Sequence, residues 1–159
     1  MEIIDELLRL IVVLNEARIS YALCGGLAMA VHGHPRATQD IDLLIPESEL
    51  EKTLAVAKTI GFIIPSGRMP FKARTPLAMD RYRVSRAKGS WLISLDLIVV
   101  SPGLQEVWES RISGKVGDVD CSVVSKDGLI RMKTIAGRHR DLDDIETLRG
   151  EIQNGNPAE

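Results

Sequence analysis

The chain is poor in cysteine, in aromatic residues and in long apolar runs. Its two cysteines, Cys24 and Cys121, lie far apart, which argues against a disulfide framework or a cysteine-based metal site. Aromatic residues make up 4% of the 159 residues, so a nucleic-acid module built on exposed stacking rings is not expected. No run approaches the roughly 18 consecutive apolar residues of a membrane span, and the acidic N-terminus does not resemble a secretory signal. We therefore expect a cytoplasmic protein.

The remaining composition is that of an ordinary globular domain. Lys and Arg number 20 against 22 Asp and Glu, and 45% of the residues are hydrophobic. We expect one domain over residues 1–149 and a flexible tail over 150–159. Charge is uneven, because one basic stretch holds seven cations and a single acid, Asp80. Such an excess suits a phosphate-bearing ligand or acceptor, and it equally suits a solvated strand face with a mobile loop. The cations are Arg68, Lys72, Arg74, Arg81, Arg83, Arg86 and Lys88.

Helical and strand patterns follow one another without a strict β-α-β repeat. Apolar spacing predicts an amphipathic opening helix up to about Asn15 and strands over residues 20–24 and 38–45. Residues 91–100 are apolar on both faces, which is typical of a central strand. A hairpin with its turn at Gly117 and two closing helices complete the pattern. The fold class predicted is α+β (α/β), a mixed β-sheet flanked by helices, with helices at the C-terminal end.

Three aspartates fall in the most strand-like segments, although aspartate is uncommon in strands. Asp40 and Asp42 are two residues apart, so strand geometry places both carboxylates on one face. Asp96 lies between Leu95 and Leu97, where an isolated buried carboxylate would cost several kcal/mol and needs a cation or a metal. The set predicts a two-metal site for phosphoryl transfer. Oxygen ligands without His or Cys favour Mg²⁺ or Mn²⁺.

A structural role for the same residues is the alternative. In that interpretation Asp40 caps a turn, Asp42 pairs with Arg36, and Asp96 pairs with an arginine of the basic stretch. The pair Gly25-Gly26, which ends a strand and opens a helix, has two interpretations as well. It is either a tight turn or a place where backbone N–H groups meet a phosphate.

The run GGLAMAVHGHPRATQDIDLLI, residues 25–45, resembles the signature of the DNA polymerase β-like nucleotidyltransferase superfamily. In that signature a Gly-Gly or Gly-Ser pair is followed by Arg, Ser or Thr, and then Asp-x-Asp. The resemblance implies a nucleotidyltransferase-like fold, two bound metal ions and a bound nucleoside triphosphate. The implied metal ligands and catalytic residues are Asp40, Asp42 and Asp96, of which Asp96 is also the candidate general base. The candidate nucleotide contacts in this run are Gly25, Gly26, Arg36 and Thr38.

The closing segment LIRMKTIAGRHRDLDDIETL, residues 129–148, is similar to the end of the short AbiEii-like branch of these enzymes. That similarity implies that Lys133 and Arg138 reach the nucleotide phosphates. It also implies a toxin–antitoxin or phage-defence setting with an antitoxin-type partner protein. From the residues alone, Lys133 is as easily a surface lysine, and Asp141 and Asp144 are expected to be ordinary helix-start acids.

The resemblance implies transfer of a nucleoside monophosphate from an NTP to an acceptor hydroxyl, with release of pyrophosphate. Three acceptor classes stay open: an RNA 3′ end, a protein and a small hydroxylated molecule. The basic stretch favours a phosphate-rich acceptor. One alternative is a catalytically inactive nucleotide-binding or regulatory module of the same fold, since Gly26 stands where many relatives have Ser. A glycosyltransferase with an Asp-x-Asp motif fits less well, because Gly-Gly precedes the motif.

Overall fold

The computed structural model describes residues 2–71 and 79–153, which form six α-helices, seven strands and two short 3₁₀ turns. The helices are α1 (Glu2–Glu16), α2 (Gly25–Val31), α3 (Leu50–Lys58), α4 (Gln105–Glu109), α5 (Lys126–Ala136) and α6 (His139–Gln153). The strands are β1 (Ala22–Cys24), β2 (Asp40–Ile45), β3 (Ile64–Phe71), β4 (Met79–Lys88), β5 (Trp91–Val99), β6 (Ile112–Val116) and β7 (Val119–Val123).

All seven strands form one mixed sheet in the order β3-β4-β5-β2-β1-β7-β6. β2 and β5 are parallel, β1 is antiparallel to β2 and parallel to β7, and the other pairs are antiparallel. The predicted mixed sheet with flanking helices is confirmed. The apolar segment that predicted a central strand is β5, which lies between β4 and β2 and is buried along most of its length. The hairpin prediction is confirmed too, with Gly117 at a positive φ of 59° in the turn between β6 and β7.

The two faces of the sheet differ in character. On one face, alternate residues of β2 and β5 such as Ile41, Leu43 and Leu95 are fully buried in the core. Helix α1 packs on this face. Its buried side is the apolar one that the helical spacing predicted, and it includes Leu7 and Ile11. The opposite face carries the three strand aspartates, because side chains of a strand point alternately to the two sides.

A buried acid of α1 pairs with two cations of β4. Glu6 is 1% exposed, and its carboxylate accepts hydrogen bonds from Arg86 Nη1 at 2.8 and 3.0 Å. Lys88 Nζ lies 3.4 Å and Arg9 Nη1 3.5 Å from the same carboxylate. We call Glu6, Arg9, Arg86 and Lys88 the Glu6 cluster.

The C-terminal helix extends further than the sequence analysis expected. Helix α6 continues through Gly150 to Gln153, so residues 150–153 are helical and the expected tail does not begin at 150. A glycine inside a helix costs only about 1 kcal/mol relative to alanine, and Leu148, which is fully buried, anchors this last part of the helix. Residues 154–159 lie outside the described residues. Within the described chain, no helix combines the length and apolar character needed to cross a membrane.

Candidate active site

The three strand aspartates lie side by side on one face of the sheet. Asp40 and Asp42 alternate along β2, and Asp42 is in register with Asp96 on the parallel neighbour β5. In parallel strands residues in register point to the same face, so Asp42 and Asp96 share a side of the sheet. The structure thus brings together the three residues that the sequence analysis proposed as metal ligands.

The environment of Asp42 disfavours its charged form. Burial, together with the neighbouring carboxylates Asp96 and Asp40, raises the pKa of Asp42 from 3.8 to about 7. The positive charges of Arg81 and Arg138 lower this pKa, but they offset the rise only in part. Asp42 is therefore an acidic group that lacks sufficient positive charge around it, which is the condition under which a carboxylate gains most from a bound cation.

Asp96, by contrast, has a cation attached to it. It is 1% exposed, and Arg83, directly opposite on the antiparallel strand β4, donates from Nε to Oδ1 at 2.7 Å and from Nη2 to Oδ2 at 2.9 Å. Arg81 Nη1 is 3.8 Å from Oδ2. The contact with an arginine of the basic stretch is one that the structural interpretation anticipated. The pairing of Asp42 with Arg36 is not formed, because Arg36 binds another acid, Asp144, at 2.7 Å.

Gly25 and Gly26 lie directly against Asp42 and Thr38. Gly25 has a φ of +66°, and a Cβ at that position would lie 2.1 Å from Asp42 Oδ2. Only glycine avoids both the strained backbone and the overlap, so the backbone of α2 begins directly against Asp42. Gly26 faces Thr38, whose hydroxyl exchanges hydrogen bonds of 3.3 Å with the backbone of Asp40. Thr38 therefore holds the loop that leads into β2.

Lys133 and Arg138 are part of an acid–base network between α5 and α6. Lys133 Nζ is 2.7 Å from Asp144 and 3.6 Å from Asp141, and Arg138 Nε donates to Asp141 at 2.6 Å. With Arg36 these residues form what we call the α5–α6 cluster. Burial alone would raise the pKa of Asp141, but the bonds and charge of Arg138 outweigh it and lower that pKa.

The expected roles in this cluster need correction. Asp141 and Asp144 are each 1% exposed, so they are not solvated helix-start acids. Lys133 is buried as well and is not a surface lysine. The reason is the packing of α6 against α5, which encloses both helix-start acids around the lysine ammonium group.

A cleft of about 370 Å³ lies between the strand aspartates and the α5–α6 cluster. Its base is formed by Gly25 and Asp42, and the α5–α6 side contributes Met132, Lys133 and Arg138. The opposite side comes from β3, β4 and β5 and is mostly apolar. The strand-side residues are Met69, Pro70, Met79, Arg81 and Ile98. Sequence reasoning missed this apolar wall, because its members come from three strands and only pairing in the sheet brings them together.

The basic stretch is not a free cationic surface over its described part. Arg83 binds Asp96, Arg86 and Lys88 belong to the Glu6 cluster, and Arg68 pairs with Asp80 while its guanidinium lies over the Tyr82 ring. Lys72 and Arg74 lie outside the described residues. Of the described cations in the stretch, Arg81 lines the cleft. The preference for a phosphate-rich acceptor therefore loses its main support.

The carboxylates of β2 fit a hard divalent cation better than the full set of three does. Across residues 2–71 and 79–153, no group of three or more His, Cys, Asp or Glu side chains is arranged to hold a metal ion. Asp40 and Asp42 nevertheless offer oxygen donors on one strand face, and no cationic nitrogen of a described residue is paired with either. Two carboxylates completed by substrate oxygens are a common protein environment for Mg²⁺.

The fold is that of proteins that transfer nucleotides. One similar structure is that of TM1012 from Thermotoga maritima, a protein assigned as a nucleotidyltransferase. The two structures superpose with a TM-score of 0.65 at 15% sequence identity, and the match covers 96% of this chain and 94% of TM1012. The chain has a nucleotidyltransferase fold. The lincosamide antibiotic adenylyltransferase LnuA, in its lincomycin-bound form, matches with a TM-score of 0.63 at 15% identity over 91% of this chain and 95% of its own. The antibiotic-resistance factor ANT(2'')-Ia gives 0.53 at 14% identity, with 95% and 91% covered.

The likeness is one of structure. No known family's sequence profile matches the chain, and no curated protein sequence is similar to it. At 14–15% identity these neighbours establish the nucleotidyltransferase fold. Membership of the AbiEii-like branch, with its implied partner protein, stays a prediction.

Proposed function

We propose that the protein transfers a nucleoside monophosphate from an NTP to a hydroxyl group of an acceptor. The observation that carries the proposal is the meeting of Asp40, Asp42 and Asp96 on one sheet face, with Asp42 and Gly25 at the base of an open cleft. A carboxyl group such as Asp42, whose pKa is raised toward neutrality by burial and then by neighbouring carboxylates, is characteristic of a functional site. The nucleotidyltransferase fold of the chain supports this reaction class.

The proposed reaction is a single displacement at phosphorus. The acceptor oxygen forms a bond to the α-phosphorus, the bond from that phosphorus to the α,β-bridging oxygen breaks, and pyrophosphate leaves with that oxygen. Asp96 receives the proton of the acceptor hydroxyl. Each of its oxygens accepts one bond from Arg83 and retains lone-pair capacity for the hydroxyl. Mg²⁺ or Mn²⁺ held by Asp40 and Asp42 would neutralise charge on the triphosphate.

The phosphates are proposed to lie between the glycine pair and the α5–α6 cluster. Gly25 lines the cleft beside Asp42, and Lys133 and Arg138 line the same cleft from the α5–α6 side. Both cations are already bound to Asp141 and Asp144, so a triphosphate would share them with these acids. Arg36 is bound to Asp144 and Thr38 to the Asp40 backbone, and we therefore assign both a supporting role.

The acceptor is proposed to be a small hydroxylated molecule with an apolar body. The strand side of the cleft presents Met69, Met79 and Ile98, and methionine side chains adapt to irregular apolar ligands. Arg81 and Arg83, which lie on the neighbouring strand β4, both form ion pairs with Asp96. The lincomycin-bound state of LnuA is a precedent for a small-molecule ligand on this fold.

A nucleotide-binding module without turnover is the second candidate. The observation that favours it is the bidentate contact of Arg83 with Asp96, in which each oxygen of the proposed general base already accepts one hydrogen bond. This candidate predicts metal-dependent NTP binding with no release of pyrophosphate under any supply of acceptor.

A label-transfer assay separates the two candidates. Each α-³²P-labelled NTP is incubated with the protein, Mg²⁺ or Mn²⁺, and separately with total RNA, protein extract and a small-molecule extract. We expect label in a small product, reduced at least about 10³-fold by Asp42→Asn. The matched control is Asp120→Asn, the same chemical change at a side chain that is 84% exposed.

Label in RNA or protein would overturn the acceptor class and keep the enzyme. NTP binding without transfer would support the inactive module. Absence of both would contradict the proposed function.

A further inference from the structure

We propose that Arg83 takes the place of a second metal ion on Asp96, so that the site binds one divalent ion, at Asp40 and Asp42. The inference rests on the proposed function, and it replaces the two bound metal ions that the sequence resemblance implies. The sequence pattern of three strand aspartates predicts that all three bind the metal ions. The inference differs from that prediction, because it removes Asp96 from the metal ligands.

The register of the sheet builds the Arg83–Asp96 contact. β4 runs antiparallel to β5, and Arg83 is the direct partner of Asp96 in that pairing. Residues directly opposite in antiparallel strands present their side chains on the same face. The guanidinium meets the carboxylate with two parallel hydrogen bonds, 2.7 Å from Nε and 2.9 Å from Nη2, which is the strongest geometry of this kind of pair.

Burial makes this contact difficult to exchange for a metal ion. Asp96 is 1% exposed, and a carboxylate so far from water is costly unless a cation accompanies it. Arg83 supplies that charge at any physiological pH because a guanidinium does not lose its proton. Arg81, 3.8 Å from the same carboxylate, adds a second positive charge. A metal ion at Asp96 would have to enter against two arginines.

Asp40 and Asp42 are in the opposite situation. No Lys or Arg nitrogen of a described residue is paired with either carboxylate, and Arg83 turns its donors to Asp96. Their side chains are partly buried and open toward the cleft at Asp42. Among the described residues, Asp96 therefore has its positive counter-charge within the protein, whereas Asp40 and Asp42 do not. Asp96 is satisfied by the protein, whereas Asp40 and Asp42 can be satisfied by an ion and the phosphates that come with it.

The number of bound ions tests the inference without reference to activity. The protein is dialysed to equilibrium against Mn²⁺ and an α,β-methylene analogue of each NTP in turn, and the excess Mn²⁺ inside the membrane is counted per chain. We expect one ion per chain for the unmodified protein. We also expect one ion for Asp96→Asn, with an affinity within about threefold, since Asp96 is not a ligand.

Two variants complete the experiment. Asp42→Asn is expected to weaken Mn²⁺ binding at least about tenfold, because it removes a ligand charge. Arg83→Met frees Asp96 and is expected to raise the count from one to two. Thermal melting identifies an Arg83→Met protein that does not fold, and the decision then rests on the unmodified protein and Asp96→Asn.

The outcomes separate this inference from the function on which it rests. Two ions in the unmodified protein, or loss of an ion in Asp96→Asn, would overturn the role of Arg83 and leave nucleotidyl transfer in place. No bound ion in any form would overturn both. One ion in both proteins supports the inference.

Discussion

Glu6, which is buried, and Asp42, which is partly buried, are acids on opposite sides of one sheet, and they differ in the cations around them. Glu6 accepts two bonds from Arg86 and has Lys88 and Arg9 within ion-pair distance. Burial, together with the neighbouring carboxylates Asp96 and Asp40, raises the pKa of Asp42 to about 7. Where a buried charge serves the fold, the chain provides cations from several elements. Asp42 has no such cations of the described chain paired with it and lines a cleft, and this difference is the reason that we propose a ligand as its counter-charge.

The largest expected loss of stability comes from Gly25→Ala, which places a side chain against Asp42. The new Cβ would overlap Asp42 Oδ2 at 2.1 Å in a backbone with φ +66°, so we expect a loss of about 2–4 kcal/mol in unfolding free energy. Urea denaturation measures it. The control is Gly117→Ala, with a similar φ of +59° but its nearest atom 3.9 Å away, which should lose only about 1 kcal/mol. Equal losses would contradict the importance of the Asp42 contact.

Glu6→Gln should produce the next largest change. It leaves the Arg86 guanidinium and the Lys88 ammonium without their acid, and we expect a loss of about 2–3 kcal/mol in unfolding free energy. The estimate is below the value for fully buried pairs because Lys88 is 40% exposed. Glu51→Gln on the exposed side of α3 is the control and should change little. A negligible effect of Glu6→Gln would mean that the cluster does not stabilise α1.

Asp42→Asn should shift stability in the opposite direction. In the native protein the raised pKa means that Asp42 holds its proton up to about pH 7, whereas the unfolded chain loses it near 3.8. Native stability therefore falls as pH rises through that window, and the full penalty is present above pH 7. We expect the amide to stabilise the metal-free protein by about 1–2 kcal/mol at pH 8, with the gain fading toward pH 4.

Denaturation curves at pH 4, 6 and 8 with chelator measure this change. A gain that does not depend on pH would show that the carboxylate charge is not its cause. Added Mg²⁺ should raise the melting temperature of the unmodified protein more than that of the variant.

The smallest effect is expected for Arg9→Ala. Arg9 is 48% exposed and approaches Glu6 at 3.5 Å from the same helix, so the pair should contribute less than about 0.5 kcal/mol. Guanidinium chloride would screen this pair, and urea denaturation at low and high NaCl is the appropriate measurement. A loss as large as that of Glu6→Gln would assign the cluster's stability to α1 alone.

The sequence predicted those parts of the site that depend on local pattern. The period of two in strands was enough to place Asp40 and Asp42 together, and Gly25-Gly26 marked the junction of β1 and α2. Which arginine of the basic stretch meets Asp96 could not be predicted, because the answer is the register of β4 on β5. The burial of Asp141 and Asp144 likewise depends on how α6 packs on α5, which no local pattern records.

The strand β1 has a consequence for the shape of the cleft. It has three residues, and within the sheet it is the link between β2, which carries Asp40 and Asp42, and β7, from which the chain enters α5. The strands β3, β4 and β5, which supply the apolar side of the cleft, and β7, which leads into the helix that carries Lys133, therefore lie on the two sides of this short strand. Within the sheet, the strand that carries Asp42 is thus connected to the strand that leads into α5 through three residues, and β1 meets β7 in register at Leu23 and Val123.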